Sequence, residues 1–465
     1  MHTLTRFFLG TAAAALLHAT GVSAQTSLTG DWAGTLGPLE FTAHLTDPAG
    51  GPRTATLDIP AQHANGLVLQ FTAPADSVYL RLRQPAAQFA GRRSADGQRL
   101  EGEWQQGLRS FPLTLSRAAA GSAKAAPALR PQTPQPPFPY QSAEVAFKNE
   151  KAGITLAGTY TVPADMGPFP AVVLLTGSGP EDRNETILGH QPFAVLADYL
   201  TRHGIAVLRF DDRGVGQSGG TLAGTTSADY TTDAQAALAW LRAQPGIRKN
   251  QVGLIGHSQG GTAAIGAAIQ PAGPDFLVLL ASPALPGDEL IVQQALALAK
   301  VSKVESVQLM YIERAQRQVI DIIEKTPDNV QARAKLLPLL NQTNSTDPSV
   351  LSQLNAQIDV AISPDYRHLL ADRPAQTLAK VKCPVLALGG SKDRQVPAAA
   401  NLTATTAGLK TAGNRDVTVQ ELPGLNHLFQ TAPTGSPAEY GTIEETFAPS
   451  ALAVIGDWIA RHTKK

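Results

Sequence analysis

The sequence predicts a two-domain chain in which a small all-β domain precedes a larger α/β domain. Between residues 27 and 117, short alternating apolar runs are separated by turn residues at close spacing, which indicates β-strands. Six prolines between Pro127 and Pro139 then mark an extended connection. From about residue 141, buried apolar strands alternate with amphipathic helices, which is the pattern of an α/β domain.

The composition sets limits on partners and cofactors. The 465 residues suffice for two or three domains, and an apolar fraction of 43% supplies sizeable cores. The 38 basic and 38 acidic side chains give a net charge of zero, so no nucleic-acid partner is expected. The lone cysteine, Cys383, excludes an internal disulfide and a cysteine-based zinc site. Since no other ligand spacing is clustered, we expect no metal and no cofactor.

Residues 1–24 have the pattern of a secretory signal peptide. Arg6 lies before an apolar run at 7–17, and Val22, Ser23 and Ala24 supply small residues before a cleavage site. The run is too short to span a bilayer, although an uncleaved anchor is the alternative. No cysteine lies near the cut, and no later segment is apolar enough to span. We therefore expect a periplasmic or secreted protein without a transmembrane anchor in the mature chain.

Residues 25–117 are predicted to form the all-β domain, as an up-and-down meander or a small barrel. Its two histidines, His44 and His63, are expected to be ordinary surface residues because no catalytic cluster surrounds them. The candidate strands are 31–36, 39–45, 53–59, 67–71, 78–82, 88–92, 99–104 and 111–115.

A linker is predicted over residues 118–140 and the α/β domain over 141–465. Its predicted elements are the strands 170–175, 205–210, 252–255, 276–280, 384–388 and 416–422, and the helices 192–203, 230–243 and 451–461. Residues 285–376 interrupt this alternation with about ninety residues that carry no strand signal, far more than an ordinary connection. Helical stretches at 288–325 and 330–340 predict a helical cap inserted after a core strand.

The G-H-S-Q-G sequence at 256–260 is the most specific local signal in the chain. It matches G-x-S-x-G, follows an apolar strand and opens a helix of small residues, as a nucleophile elbow requires. This context predicts that Ser258 is a nucleophile. A second match at 216–220 follows a polar loop and starts no clear helix, so Ser218 is interpreted as a loop residue. His257 lies inside the elbow and is expected to pack or form hydrogen bonds.

A serine nucleophile needs a base and an acid that orients the base. In this type of site the chain order is serine, acid, histidine. Asp393 follows the strand 384–388, and His427 lies in the loop after the last strand, 416–422. These two residues are the predicted acid and base, with Asp288 as the fallback acid. Backbone N–H groups of Ser178 and Gln259 are the predicted oxyanion donors.

From about residue 145 onwards the chain resembles the α/β-hydrolase superfamily, in particular bacterial carboxylesterases known as serine-aminopeptidase-like hydrolases. The resemblance rests on L-T-G-S-G-P-E-D-R at 175–183, F-D-D-R-G-V-G at 210–216, S-P-D-Y-R at 363–367 and K-D-R-Q-V-P at 392–397. It implies an eight-stranded, mostly parallel sheet with a helical cap, and hydrolysis of esters with small or medium acyl chains without a cofactor. Glu181 and Asn184 stand where many relatives have Gln and Asp. The all-β domain lies outside the resemblance.

Three functions are compatible with these residues. The first is a carboxylic-ester hydrolase that acts on a small-molecule ester. The second is a peptidase or acyltransferase on the same fold, since fold and catalytic residues do not fix the substrate. A peptidase that binds a free amine needs cap carboxylates, and the candidates are Glu289, Glu305, Glu313 and Glu324. The third is a non-enzymatic protein whose β-domain binds glycan or the cell envelope.

Overall fold

A computed structural model describes residues 27–464, except 37–38, 49–52, 60–63, 75, 83–86, 107–108, 119–129, 223 and 342–347. The predicted signal peptide, His63 and the first half of the predicted linker lie outside the described residues.

The N-terminal domain is a closed antiparallel barrel of eight strands, in which each strand pairs with its neighbour in sequence and β1 pairs with β8. The strands are β1 (Gly30–Leu36), β2 (Leu39–Thr46), β3 (Thr54–Ile59), β4 (Ala64–Thr72), β5 (Ser77–Leu82), β6 (Ala87–Arg93), β7 (Arg99–Gln106) and β8 (Arg109–Arg117). The prediction of a small all-β domain is confirmed.

Side chains fill the barrel interior. Trp32, Phe41, Phe89, Leu100 and Trp104 are among the buried residues that form its core. They come from alternate positions of their strands, because successive side chains of a strand point to opposite faces of the sheet. The rings of Phe41 and Trp104 pack edge to face with centroids 5.0 Å apart. The barrel is therefore a packed body, and its core explains the alternating pattern in the sequence.

His44 on the barrel surface has more partners than an ordinary surface histidine. Its Nδ1 lies 2.7 Å from a carboxylate oxygen of Asp31, and its Nε2 lies 3.0 Å from one of Asp58. The three side chains belong to β2, β1 and β3, respectively. The histidine thus joins three neighbouring strands on the outer face of the barrel.

The second half of the predicted linker is attached to the α/β domain. The guanidinium of Arg130 donates hydrogen bonds to the carbonyl oxygens of Leu188 and Gly441, at 2.9 and 2.6 Å. The side-chain oxygen of Gln132 accepts from the N–H groups of Thr446 and Phe447, at 2.6 and 3.0 Å. The polar side chains of this half thus satisfy backbone groups of the α/β domain.

The α/β domain contains one eight-stranded sheet with the order β16-β15-β14-β13-β11-β12-β10-β9. The strands are β9 (Tyr140–Asn149), β10 (Ile154–Pro163), β11 (Phe169–Leu175), β12 (Ala206–Phe210), β13 (Ile247–His257), β14 (Leu277–Leu280), β15 (Val385–Gly390) and β16 (Val417–Leu422). Strands β11 to β16 pair in parallel, and β10 pairs antiparallel with β9 and β12. The mostly parallel sheet is confirmed; the β9–β10 hairpin was not among the predicted strands.

Helices cover both faces of the sheet and bury two apolar cores. One core contains residues of α2 (Ser227–Arg242), α3 (Gln259–Ala268), α9 (Pro374–Leu378) and α10 (Ala398–Thr411). The other contains residues of α1 (Pro192–Arg202) and α11 (Pro449–Thr463). Because both faces are covered, β14 and the second half of β13 are buried at every position, as parallel strands generally are.

The helical cap lies between β14 and β15, and its prediction is confirmed. It consists of α4 (Gly287–Val301), α5 (Ser306–Lys325), α6 (Asn329–Leu340), α7 (Pro348–Ala361) and α8 (Pro364–Ala371). The predicted stretch 288–325 is two helices, because the chain turns at Lys303, whose φ is +57°. A separate apolar core holds the cap together. In the part of the chain that is described, no helix has the length and apolar character to cross a bilayer.

Two shortened chains test the attachment of residues 130–139. A chain that starts at residue 130 should unfold in urea at the same concentration as the α/β domain of the full-length protein. A chain that starts at Gln141 loses the hydrogen bonds of Arg130 and Gln132, and its free energy of unfolding should be lower by about 3 kcal/mol or more. Equal stability of the two shortened chains would show that the segment is a passive linker.

Candidate active site

The site lies at the carboxyl edge of the parallel sheet. After β11 the chain moves to β12 on one side, and it later returns to β13 on the other side of β11. The loops that follow β11 and β13 therefore diverge and leave a crevice at this edge, which is where open α/β sheets bind ligands. Ser258 follows β13, and Gly177 and Ser178 follow β11.

Ser258 occupies the tight turn between β13 and α3. Its backbone is left-handed, with φ of +50°, a conformation that a non-glycine residue adopts at a cost. A Cβ on Gly256 would lie 2.4 Å from the Gly260 carbonyl oxygen, and one on Gly260 would lie 2.2 Å from the Leu175 carbonyl oxygen. The turn therefore tolerates only glycine at these two positions, which explains the G-x-S-x-G pattern.

Asp393 and His427 meet across the ends of β15 and β16. Nδ1 of His427 lies 2.8 Å from Oδ2 of Asp393, and the Asp393 side chain is fully buried. The other oxygen, Oδ1, accepts hydrogen bonds from the N–H groups of Gln395 and Val396, both at 2.8 Å. The carboxylate thus holds the imidazole with its proton on Nδ1, which leaves Nε2 as the acceptor. His427 and Ser258 line the same pocket, and no hydrogen bond joins them in the described structure.

The alternative acid, Asp288, and the serine of the second G-x-S-x-G match, Ser218, lie outside this arrangement. Asp288 is in the first turn of α4, where its carboxylate lies 3.3 Å from the guanidinium of Arg373. Ser218 is buried, donates its hydroxyl hydrogen to the Asp211 carbonyl oxygen at 2.7 Å and accepts from the Ala157 N–H at 2.9 Å. Ser218 therefore fixes a loop to strand β10, and Asp288 belongs to the cap.

Ser178 and Gln259, whose N–H groups are the predicted oxyanion donors, line the pocket together with Ser258. Gln259 is the first residue of α3, and Ser178 is an exposed residue of the loop after β11; both line the pocket. Among the described residues neither N–H group donates to a protein acceptor. Gly177, next to Ser178, donates its N–H to Oε1 of Glu185 at 2.7 Å. The Gly177 N–H group is thus hydrogen-bonded within its own loop, whereas the Ser178 N–H group has no protein acceptor among the described residues.

His257 and Glu185 form a buried pair beneath the nucleophile turn. Nδ1 of His257 lies 2.7 Å from Oε1 of Glu185, and its Nε2 lies 3.0 Å from the carbonyl oxygen of His427. Burial opposes the charged ring, but Glu185 and the His427 carbonyl outweigh that effect and raise the pKa of His257 to about 9. The hydrogen bonds expected of His257 are present. The role of Glu185 was not predicted, because no local sequence pattern connects it with His257, which is 72 positions away.

Further acidic groups hold the loop after β11 in place. Asp212 accepts from the Thr176 hydroxyl at 2.7 Å and from the Glu181 N–H at 3.3 Å. Burial raises the pKa of Asp212 to about 7, and burial together with Glu185 raises that of Glu181 to about 8. Arg183 pairs with Asp211 at 2.7 Å. The D-D-R sequence at 211–213, after β12, thus binds the E-D-R sequence at 181–183, in the loop after β11.

The pocket above Ser258 has a volume of about 430 Å³, within the usual range for small-molecule sites. The cap supplies most of its apolar wall. Its lining residues include Leu285, Leu290, Ile291, Gln294, Val360, Ser363, Tyr366, His368, Leu369, Asp372 and Val396. Asp372 carries the only carboxylate among the described lining residues, and burial raises its pKa. None of the four cap glutamates named from the sequence lines the pocket.

Across the described ranges, no cluster of three or more His, Cys, Asp or Glu side chains could hold a metal ion.

The fold and the surroundings of Ser258 define an enzyme of the α/β-hydrolase superfamily, with the arrangement of a serine hydrolase. Residues 152–414 match the family model described as X-Pro dipeptidyl-peptidase (S15 family). Because the match covers more than half of the chain, the chain belongs to the S15 family. The matched range contains Ser258 and Asp393 and ends before His427, so the position of His427 rests on the structure.

Individual relatives are distant. The chain is 28% identical over 246 residues to esterase EstD of Thermotoga maritima, and the match covers 46% of this chain and 58% of that esterase. A Pyrococcus furiosus esterase structure is 17% identical with a TM-score of 0.42, over 70% of this chain and 91% of that one. A proline iminopeptidase structure from Mycobacterium smegmatis is 17% identical with a TM-score of 0.41, over 69% and 98%.

The hydrogen bond between Asp393 and His427 gives a direct test. Asp393→Asn should fold normally, because an amide oxygen can still accept from the Gln395 and Val396 N–H groups. The amide nitrogen would face Nδ1 and favour the wrong tautomer of His427, so we expect turnover to fall about ten-thousand-fold. Turnover of a small p-nitrophenyl ester and circular dichroism are the measurements. A rate near that of the wild type would show that another carboxylate, such as Asp288, orients the base.

Proposed function

We propose that this protein is an exported serine hydrolase that cleaves carboxylic esters with small or medium acyl chains. The observation that carries this proposal is the convergence at one pocket of the Ser258 turn, the Asp393–His427 pair and two unused N–H groups. Ser258, His427 and Asp393 act as nucleophile, base and orienting acid. The N–H groups of Ser178 and Gln259 form the oxyanion hole.

The proposed reaction proceeds through an acyl-enzyme. Nε2 of His427 takes the Ser258 hydroxyl proton while Oγ attacks the ester carbonyl carbon, and the two N–H groups stabilise the resulting oxyanion. The intermediate collapses when the bond to the alkoxy oxygen breaks, and His427 returns the proton to the leaving alcohol. Water then attacks the acyl group with His427 again as base, which releases the acid and restores Ser258.

The pocket supports a small or medium acyl chain. Apolar side chains from the cap and from the loop after β15, such as Leu290, Leu369 and Val396, can cover an alkyl group, and the volume limits its size. The proposal of export rests on the predicted signal peptide, and we propose in addition that the barrel contacts the envelope or a glycan. The esterase name of the Thermotoga relative is consistent with the ester specificity, although the chain spans only 58% of that protein.

A peptidase that recognises a free amino terminus is the second candidate. The S15 family is described as X-Pro dipeptidyl-peptidase, and the carboxylate of Asp372 lines the pocket near the cap exit. A substrate ammonium group could pair with this carboxylate. Glu289 and Glu313, in contrast, pair with Arg317 at 3.0 and 2.9 Å on the cap surface.

Comparison of two substrate classes separates these candidates. The ester proposal predicts that p-nitrophenyl butyrate is hydrolysed with a kcat/KM at least a hundred times that of an Xaa-Pro p-nitroanilide. Asp372→Asn should leave the ester rate within about threefold of the wild type. Efficient cleavage of the anilide that is lost in Asp372→Asn would instead identify an amine-binding peptidase.

Replacement of the two serines tests the choice of nucleophile. Ser258→Ala should lower turnover on the order of a million-fold, as loss of a triad nucleophile does. Ser218→Ala is the control: it leaves the Ala157 N–H unpaired and should cost about 1–3 kcal/mol of stability, with turnover per folded molecule unchanged. Initial rates and urea unfolding measure both effects. An active Ser258→Ala enzyme would refute the proposed mechanism.

A further inference from the structure

The pair of His257 and Glu185 connects three parts of the site: the oxyanion loop, the nucleophile turn and the loop of the base. Glu185 receives hydrogen bonds from the N–H of Gly177, in the oxyanion loop, and from His257, in the nucleophile turn. His257 in turn contacts the carbonyl oxygen of His427, in the loop of the base. One oxygen of Glu185 and one imidazole ring therefore hold all three loops.

The two partners require a doubly protonated ring. Both ring nitrogens of His257 face acceptors, a carboxylate oxygen and a carbonyl oxygen, so only the imidazolium can donate to both. A neutral ring would place a lone pair against one of the two oxygens. The geometry alone thus indicates that His257 is an imidazolium beneath the nucleophile.

Among the described residues, Glu185 is the charged group within hydrogen-bond distance of the His257 ring. Pro192 and Phe193 of α1, Leu280 of β14, and Phe429 and Phe447 enclose it with apolar surface. Besides Glu185, the titratable groups that face the ring are His427, with ring centroids 4.8 Å apart, Asp393 behind it, and Glu181 of the loop after β11. Both side chains of the pair are 7% exposed. Glu185 also adopts a left-handed backbone conformation with φ of +52°, which aims its carboxylate inwards.

We propose that His257 and Glu185 are positioning residues, whose ion pair fixes the oxyanion loop and the base loop relative to Ser258. The inference rests on the proposed serine-hydrolase function. When the ring is an imidazolium, the Gly177 N–H and the His427 backbone are held, and the neighbouring Ser178 donor and His427 ring keep their places. When the ring loses its proton, one of these connections is lost.

The direction of the pH dependence follows from the pKa of His257, which is raised from 6.5 to about 9. A raised pKa means that the ion pair contributes fully below about pH 6.5 and is lost as the pH rises through about 9. The kcat of the wild type should therefore decline near pH 9. A displacement of about 1 Å in a catalytic group can cost a hundredfold in rate, so the decline should lie in kcat with KM changed less than about threefold.

Three variants and a matched control test the proposal with a p-nitrophenyl ester across pH 6 to 10. In Glu185→Gln the amide oxygen can still accept from Gly177 and His257, and only the charge is lost. We expect the alkaline decline in kcat to start at least one pH unit lower than in the wild type, because the ring has lost the charge that stabilises its proton. In His257→Gln, and in the double variant with Glu185→Gln, kcat should fall about a hundredfold without an alkaline decline near pH 9.

Asp275→Asn is the control. Like Glu185, Asp275 uses one carboxylate oxygen to accept from a backbone N–H and from a cationic side chain, but it lies at the amino edge of the sheet, away from the site. One oxygen of Asp275 accepts from the Val252 N–H at 2.8 Å and from the Arg242 guanidinium at 3.1 Å. This variant should leave the shape of the pH profile unchanged. A wild-type kcat that stays level through pH 10, or a Glu185→Gln profile that superimposes on the wild-type profile, would overturn the proposal. An active Ser258→Ala enzyme would instead refute the proposed function.

Discussion

The close approach of the Ser258 turn to the end of β11 is the constraint on which the rest of the site depends. Gly260 lets the start of α3 pack against the Leu175 backbone, where a Cβ would lie 2.2 Å from the carbonyl oxygen. This contact brings the Gln259 N–H, at the start of a helix, beside the loop that carries Ser178. Two backbone donors and a hydroxyl thus share one small region, because two parallel strands are neighbours and the loops after them diverge.

The sequence predicted those parts of the molecule that depend on local pattern and chain order. Ser258, Asp393 and His427 each follow a strand that the sequence predicts, and the alternating barrel strands are equally local. Glu185 lacks any such signal, since its role depends on a contact with a histidine 72 residues away. The attachment of Arg130 to the Gly441 carbonyl was missed for the same reason, because a proline-rich composition reports on chain stiffness and carries no information about distant partners.

Substrate choice depends on the least regular part of the fold. The cap helices have their own apolar core and supply most of the pocket wall, so helical periodicity identifies the cap but does not place Tyr366 or Asp372 over Ser258. The four glutamates that charge alone suggested do not line the pocket, whereas Asp372, the one carboxylate among its described lining residues, is at the end of α8. The core sheet thus carries Ser258, Asp393 and His427 at its carboxyl edge, and the cap forms most of the pocket wall.

The central claim is that Ser258 is the nucleophile of a working serine hydrolase. The most direct measurement is reaction of the purified protein with a fluorophosphonate, followed by mass spectrometry of the labelled peptide. The structure predicts a single adduct on Ser258, with the loss of ester hydrolysis proportional to labelling. An adduct on Ser218 or another serine, or hydrolysis that persists after Ser258 is fully labelled, would contradict the account.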